Sequence, residues 1–500
     1  MGQRGRYDRA RRHGDGRTGR GAPDPRRAAP ARPRPAPDLA HADAFGPTLA
    51  APAGPAPGGP TPSGAATDRR GWWRRRRARR GPGRGRRTLV AAALAVTTVA
   101  RTAGWAVAHE QPAVTGPPPG AAAWRADGSL GRALPDPASA SPAAVARFFA
   151  DLSGAERRTL VARHPLVVGN LDGAPVTLRY AANARALAAE RGRELARARD
   201  RGLTTQGRER ARDRADHYAA LLAGGRHILA FDPRDRGQVA EVFGDLTRAR
   251  RLAVIVPGSD IDLAAYATGS PAGTPATGGP GARGGAEAYR TPVGMAGALR
   301  SELVRQAPRT GTAVISWTGY STPVGLGLDA ATGRLARAGA PRLERFLAGL
   351  ASADGAPAAP PAVFCHSYGS VVCGLAAHRI GADASDLVVF GSPGMRADSA
   401  ADLRTRARVW AARDGSDWIG RVPHIELFGL GHGADPAGGD FGARRLSTAR
   451  VEGHAGYLAP GTESVRNFAR LTLGDFGAVR CAVDADATEA DARECVDDLL

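Results

Sequence analysis

Residues Cys365, His366, Ser367, Tyr368 and Gly369 place a serine between two apolar runs, Pro361–Phe364 before it and Val371–Ala377 after it. The first run reads as a strand and the second as a helix, so Ser367 falls on the bend that joins them. Such a bend lifts the hydroxyl clear of the sheet and aims a helix N-terminus at the atom it attacks. The signature of this turn is G-x-S-x-G; here Cys365, also small, stands where the first glycine belongs.

A serine hydroxyl is a poor nucleophile until an imidazole takes its proton, and the imidazole needs an acid to fix its tautomer. With a bend of this kind the acid and then the histidine follow the serine in the chain. The apolar run Arg408–Ala412 is followed by Asp414 and by Asp417, the latter leading into Trp418 and Ile419. Asp417 is the expected acid and Asp414 its rival; capping a turn or a following helix is the other role open to both. On order grounds the base is one of His424, His432 and His454. We expect His454, which precedes a helix-like stretch, Thr462–Leu473. His432, between two glycines, reads as a turn residue or loop stabiliser, and His366, facing away from the hydroxyl, as a packed group or one that supports the triad from behind. The oxyanion needs two aimed N–H groups. Tyr368 supplies one by construction of the bend, and Gly258 or Ser259, after the apolar run ending at Val256, the other.

These residues need a frame. Short runs rich in Val, Ile, Leu, Phe and Ala recur at His227–Phe231, Leu252–Val256, Thr312–Trp317, Pro361–Cys365, Asp386–Phe390 and Arg408–Ala412, with helix-like stretches between several of them. Near-continuous apolar strands alternating with helices predict an α/β fold, a mostly parallel sheet with helices on both faces. Sites in such sheets lie at the C-terminal strand ends, where the serine, the acid and the Gly258 turn all fall.

Ahead of this domain (226–480), residues 141–225 predict a helical N-terminal subdomain, entered through a Ser153–Glu156 capping box and broken between Gly202 and Gly207. Residues 109–140 are rich in Pro, Ala and Gly and read as a linker. Residues 268–285 form an aperiodic Gly/Pro/Thr/Ala insertion, a lid or a disordered surface loop. Residues 1–87 hold 22 arginines against six acidic residues, a net of +16 out of the chain's +21. That tail is too poor in apolar residues to order itself. The charge therefore says little about the folded part, for which we expect no specific nucleic acid. Every basic residue is arginine, which fits a composition bias better than phosphate recognition.

Residues 88–108 follow the Arg block with a short apolar core, Arg101, and the small-residue triplet Ala106–Ala108. This is the order of a signal peptide or membrane anchor. The expected location of the catalytic domain is extracellular or membrane-anchored on the outer face, with the membrane engaged through residues 88–108 and the Arg block. Of four cysteines, Cys481 and Cys495 bracket a short acidic stretch within the C-terminal segment (481–500) and suit a disulfide, whereas Cys365 and Cys373 read as buried free thiols. No spacing suggests a metal, and we expect no cofactor.

Several blocks carry a family resemblance. They are Phe148–Leu152, His164–Gly173, Arg179–Asn183, Val256–Gly258, Ser316–Tyr320, His366–Ser370, Gly391–Gly394, Gly431–Pro436, Phe441–Ala443 and Gly453–His454. Together they resemble actinobacterial-type exported α/β-hydrolases, an uncharacterised domain distantly similar to lipases and cutinase-like esterases. The resemblance implies a serine hydrolase with Ser367, Asp417 and His454 in the triad roles. The expected activity is carboxylic-ester hydrolysis through an acyl-enzyme, on a small-molecule or lipid ester. Peptidase or thioesterase action by the same residues, and a catalytically inactive envelope binding module, are the alternatives.

Overall fold

The computed structural model describes residues 110–268, 288–353, 359–483 and 491–499. The Arg-rich tail, the apolar segment 88–108 and the insertion from residue 269 lie outside the described residues. Among those described, no helix is long and apolar enough to cross a membrane.

Helices come first: α1 (Ala121–Arg125), α2 (Pro142–Ala150), α3 (Gly154–Arg163), α4 (Pro165–Gly169), α5 (Val176–Arg197) and α6 (Thr205–Leu222). The Ser153–Glu156 box caps α3 from both sides, satisfying N–H groups the helix end would otherwise leave bare. Residues 110–140, a linker by composition, pack on the fold. Trp124 is fully buried and donates Nε1–H to the Pro135 carbonyl at 2.8 Å. The Val114 N–H donates to Ser321 Oγ at 3.2 Å. Sparse aliphatics suffice there because one Trp buries about as much surface as two or three smaller side chains.

The sheet strands are β1 (His227–Asp232), β2 (Gln238–Gly244), β3 (Arg251–Val256), β4 (Thr312–Thr318), β5 (Ala362–His366), β6 (Asp386–Phe390), β7 (Arg408–Ala412) and, after a small hairpin of β8 (Glu426–Leu427) and β9 (Leu430–Gly431), β10 (Arg444–Arg445). They lie in the order β1-β2-β4-β3-β5-β6-β7-β10. β2 is antiparallel to both of its neighbours, and every pairing from β4 to β10 is parallel. The remaining helices are α7 (Leu263–Thr268), α8 (Pro292–Gln306), α9 (Leu328–Thr332), α10 (Arg334–Ser352), α11 (Gly369–Ile380) and α12 (Glu463–Leu473).

Alternate residues of each strand serve opposite faces. Val363 and Cys365 join the core under α10 and α11, while Phe364 joins the one under α8 and α12. That double burial is why the strands are apolar throughout. Helix α10 runs through Pro341. Proline inside a helix costs about 3 kcal/mol. Burial of Leu335, Ala336, Leu343, Phe346, Leu347 and Leu350 along one face outweighs it.

Parallel pairing puts Val256, Cys365, Val389 and Ala411 in one row across the sheet. The turns after β3, β5, β6 and β7 therefore leave the same edge at the same height. One expectation fails here: Cys365 and Cys373 are not free thiols but a disulfide, with Cα atoms 6.5 Å apart. The strand-to-helix bend folds the chain back, so a residue of β5 meets one in the second turn of α11. Cys481 and Cys495 are bonded as well.

Candidate active site

Ser367 is the half-buried tip of the β5–α11 bend, with φ +52°, left-handed backbone that a non-glycine residue adopts at a cost of roughly 1–3 kcal/mol. Three bonds hold it there. Its N–H donates to the Phe390 carbonyl at 3.0 Å, and its carbonyl accepts from the Ser370 N–H at 2.9 Å and from Ser370 Oγ at 2.5 Å. The neighbouring β3 turn presses close. A Cβ on Gly369 would lie 2.4 Å from the Val256 carbonyl oxygen, and one on Gly258 would lie 2.6 Å from Ser367 Cβ. Glycine is required at both positions by contact. Cys365 tolerates the first position of the motif because its side chain points into the α10–α11 core and bonds there.

His454, on the loop between β10 and α12, places Nε2 2.9 Å from Ser367 Oγ and Nδ1 2.9 and 3.1 Å from the two Asp417 oxygens. A carboxylate only accepts, so Nδ1 carries the proton and the Nε2 lone pair faces the serine. Asp417 is buried, and burial pushes its carboxyl up. Bonds from His454, from the Ile419 N–H at 2.9 Å and from the Tyr457 hydroxyl at 2.7 Å outweigh that and hold it below its ordinary value. Asp414 is not part of this cluster. Its carboxylate accepts from the Ser416 N–H and hydroxyl, shaping the turn.

Four residues complete the frame: three that sequence reasoning left out of the site, and His366, expected there as a packed or supporting group. Tyr457 accepts from the Asp414 N–H at 3.0 Å while donating to Asp417, so one phenol ties the acid to the end of β7. His366 is buried and neutral. Burial first, and repulsion from His454 second, push it down to about 3. Its Nε2 donates to the His454 carbonyl at 2.8 Å, fixing the backbone of the base. Trp418 lies against the His454 ring at 4.8 Å. Tyr320 donates to the Pro257 carbonyl at 2.7 Å and holds the β3 turn. Buried phenols carry no sequence signal of their own; the Ser316–Tyr320 and His366–Ser370 blocks hinted at two of the four.

The Tyr368, Gly258 and Ser259 N–H groups donate to no other backbone acceptor among the described residues. His432 is buried, and its Nε2 bonds the Ala330 carbonyl at 2.6 Å. Among the described residues no group of three or more His, Cys, Asp or Glu side chains is placed to hold a metal ion.

The strand order and the bend agree with a sequence match. Residues 232–427 match the family described as "Alpha/beta hydrolase". The chain carries an α/β-hydrolase domain. An uncharacterized protein of Mycobacterium tuberculosis is 27% identical over 397 residues, covering 68% of this chain and 57% of the relative. An uncharacterized protein of Mycobacterium bovis is 38% identical over 117 residues, 22% of this chain and 43% of that protein. The chain thus spans about half the length of the curated relatives it matches. Among solved structures, dienelactone hydrolase from Anabaena variabilis aligns with 16% identity and a TM-score of 0.28, over 49% of this chain and 92% of that one. A predicted CIB-like hydrolase from Thermoplasma acidophilum aligns with 11% identity and the same TM-score, over 50% and 98%.

Proposed function

We propose that this α/β-hydrolase domain is a serine hydrolase that cleaves carboxylic esters through an acyl-enzyme. The observation that carries the proposal is the unbroken chain of bonds from Ser367 Oγ through His454 to a buried, ionised Asp417. As Oγ bonds to the ester carbon, its proton passes to Nε2, and Asp417 stabilises the imidazolium. The oxyanion takes the Tyr368 N–H and an N–H of the Gly258–Ser259 turn. Nε2–H then protonates the departing alkoxide as the C–O bond breaks. A water attacks the acyl-enzyme by the same route and returns the proton to Ser367.

Apolar ester substrates, lipid esters included, suit the edge of the sheet that bears the serine. Val324, Leu326 and Leu328 after β4, and Ile425, Leu427, Phe428 and Leu430 around the β8–β9 hairpin, are exposed. Phe428 is 97% exposed at φ +52°, two costs that nothing inside the fold offsets. The two disulfides support work in an oxidising compartment outside the cytoplasm.

Pre-steady-state hydrolysis of p-nitrophenyl butyrate tests the mechanism. The expected trace is a burst of about one p-nitrophenol per active chain before steady turnover. A matched anilide turning over faster than the ester would assign the domain to peptide bonds instead.

A further inference from the structure

A cavity of about 1230 Å³ opens at the opposite edge of the sheet from Ser367. It lies where β3 and β4 begin, so the length of a six-residue strand, roughly 20 Å, separates it from the serine. Five arginines line it: Arg248, Arg250 and Arg251 from the β2–β3 connection and the start of β3, Arg300 from α8, and Arg309 from the turn before β4. The N–H groups of Arg250 and Arg251 both donate to the Gly311 carbonyl, at 2.7 and 3.2 Å, which draws the two arginine-bearing loops together.

Several arginines elsewhere in the fold hold carboxylates: Arg226 holds Glu241, Arg305 holds Glu302, and Arg408 holds Asp386. None of the five cavity arginines forms an ion pair among the described residues. Two acids share the lining, Asp245 and Asp475. Asp245 is already engaged by the Thr247 N–H and hydroxyl. Arg251 rests against the Gly474 end of α12, where the helix dipole favours a cation. Arg248 is drawn to Asp245, which leaves Arg250, Arg300 and Arg309 with no carboxylate in ion-pair reach among the described residues.

The decisive atoms are Nε and Nη1 of Arg300 and Oγ1 of Thr312, which are buried without a hydrogen-bond partner. Burial lowers the Arg300 pKa, yet a guanidinium keeps its proton. A buried, charged donor left bare is costly, and a ligand acceptor removes that cost. The guanidinium fork matches phosphate oxygens two at a time. The cavity holds more arginines than one phosphate can engage.

We propose that this cavity binds a small anion bearing several phosphates, remote from the hydrolytic site. The site needs no residue of the serine machinery.

Arginine-selective modification by phenylglyoxal, read peptide by peptide by mass spectrometry on the full chain, tests this with tripolyphosphate as the probe. Residue-level reading separates the cavity from the Arg-rich N-terminal tail. Tripolyphosphate is expected to slow modification of Arg248, Arg250 and Arg309. The Arg300→Gln variant is expected to raise the half-protecting concentration about tenfold, the loss of one charge-assisted bond. The exposed Arg309→Gln variant, which carries no folding role, is expected to weaken protection of Arg248 and Arg250 in the same direction. Unchanged modification at saturating tripolyphosphate overturns the proposal, as does equal protection by sodium sulfate at matched ionic strength. Protection only by phosphatidic acid vesicles overturns the free-anion assignment and moves the site to a lipid headgroup.

Discussion

The catalytic cluster and the far edge of the parallel sheet handle buried polar groups in opposite ways. Within the catalytic cluster Asp417 has three donors, His454 bonds both Asp417 and Ser367, and His366 rests on the His454 carbonyl. At the N-terminal edge Arg300 and Thr312 keep buried polar atoms with no hydrogen-bond partner. A preorganised site must satisfy its groups before substrate arrives, because transition-state stabilisation comes from dipoles that do not have to move. A site for a charged ligand leaves its donors waiting.

The comparison breaks most visibly at Asp417. Asp417→Asn is expected to lower kcat roughly 10⁴-fold by favouring the wrong His454 tautomer. Asp414→Asn should cost less than about tenfold, since it loses only turn bonds. Equal losses in ester turnover would assign the acid role to neither. Gly258→Ala, whose added carbon meets Ser367 Cβ, is expected to cost roughly 10²-fold in kcat, with circular dichroism showing an intact fold. Tyr457→Phe removes one bond to a charged acceptor and should lower kcat about tenfold with KM unchanged. The far edge sharpens the contrast: Arg300→Gln should leave ester turnover as it is.

Acid provides a further separation. His366 sits far below its ordinary 6.5, at about 3, so the unfolded chain takes up a proton that the folded chain refuses. Stability is full above 6.5 and declines as pH falls from there toward about 3. Asp417, held below its ordinary 3.8, contributes fully above that value, and its contribution is lost only as pH falls further. Urea midpoints across this window should fall with pH, and His366→Asn should flatten the slope. A slope unaltered by that variant would trace the decline to other groups.

Much of the frame could be read from the chain alone. Strands buried on both faces announce themselves as apolar runs, and a serine between such a run and a helix has few other readings. β2 escaped because Gln238 and Glu241 interrupt its pattern, and only the fold shows Glu241 held by both oxygens to Arg226. β10 escaped because its two residues are arginines, kept in the sheet by pairing with Trp410 and Ala411. The Cys365–Cys373 bond spans the bend itself, and burial alone does not distinguish a half-cystine from a thiol. The arginine cavity was invisible in a chain with 69 arginines, where the informative fact is which of them the fold gathers around one cavity.

The central claim is that Ser367 is a nucleophile armed by His454. Treatment of the purified chain with a fluorophosphonate, followed by peptide mass spectrometry, addresses it most directly. The account predicts a single stoichiometric adduct on Ser367, absent from Ser367→Ala and sharply slowed in His454→Ala. A wild-type chain that stays unlabelled, or an adduct that persists in Ser367→Ala, would contradict it.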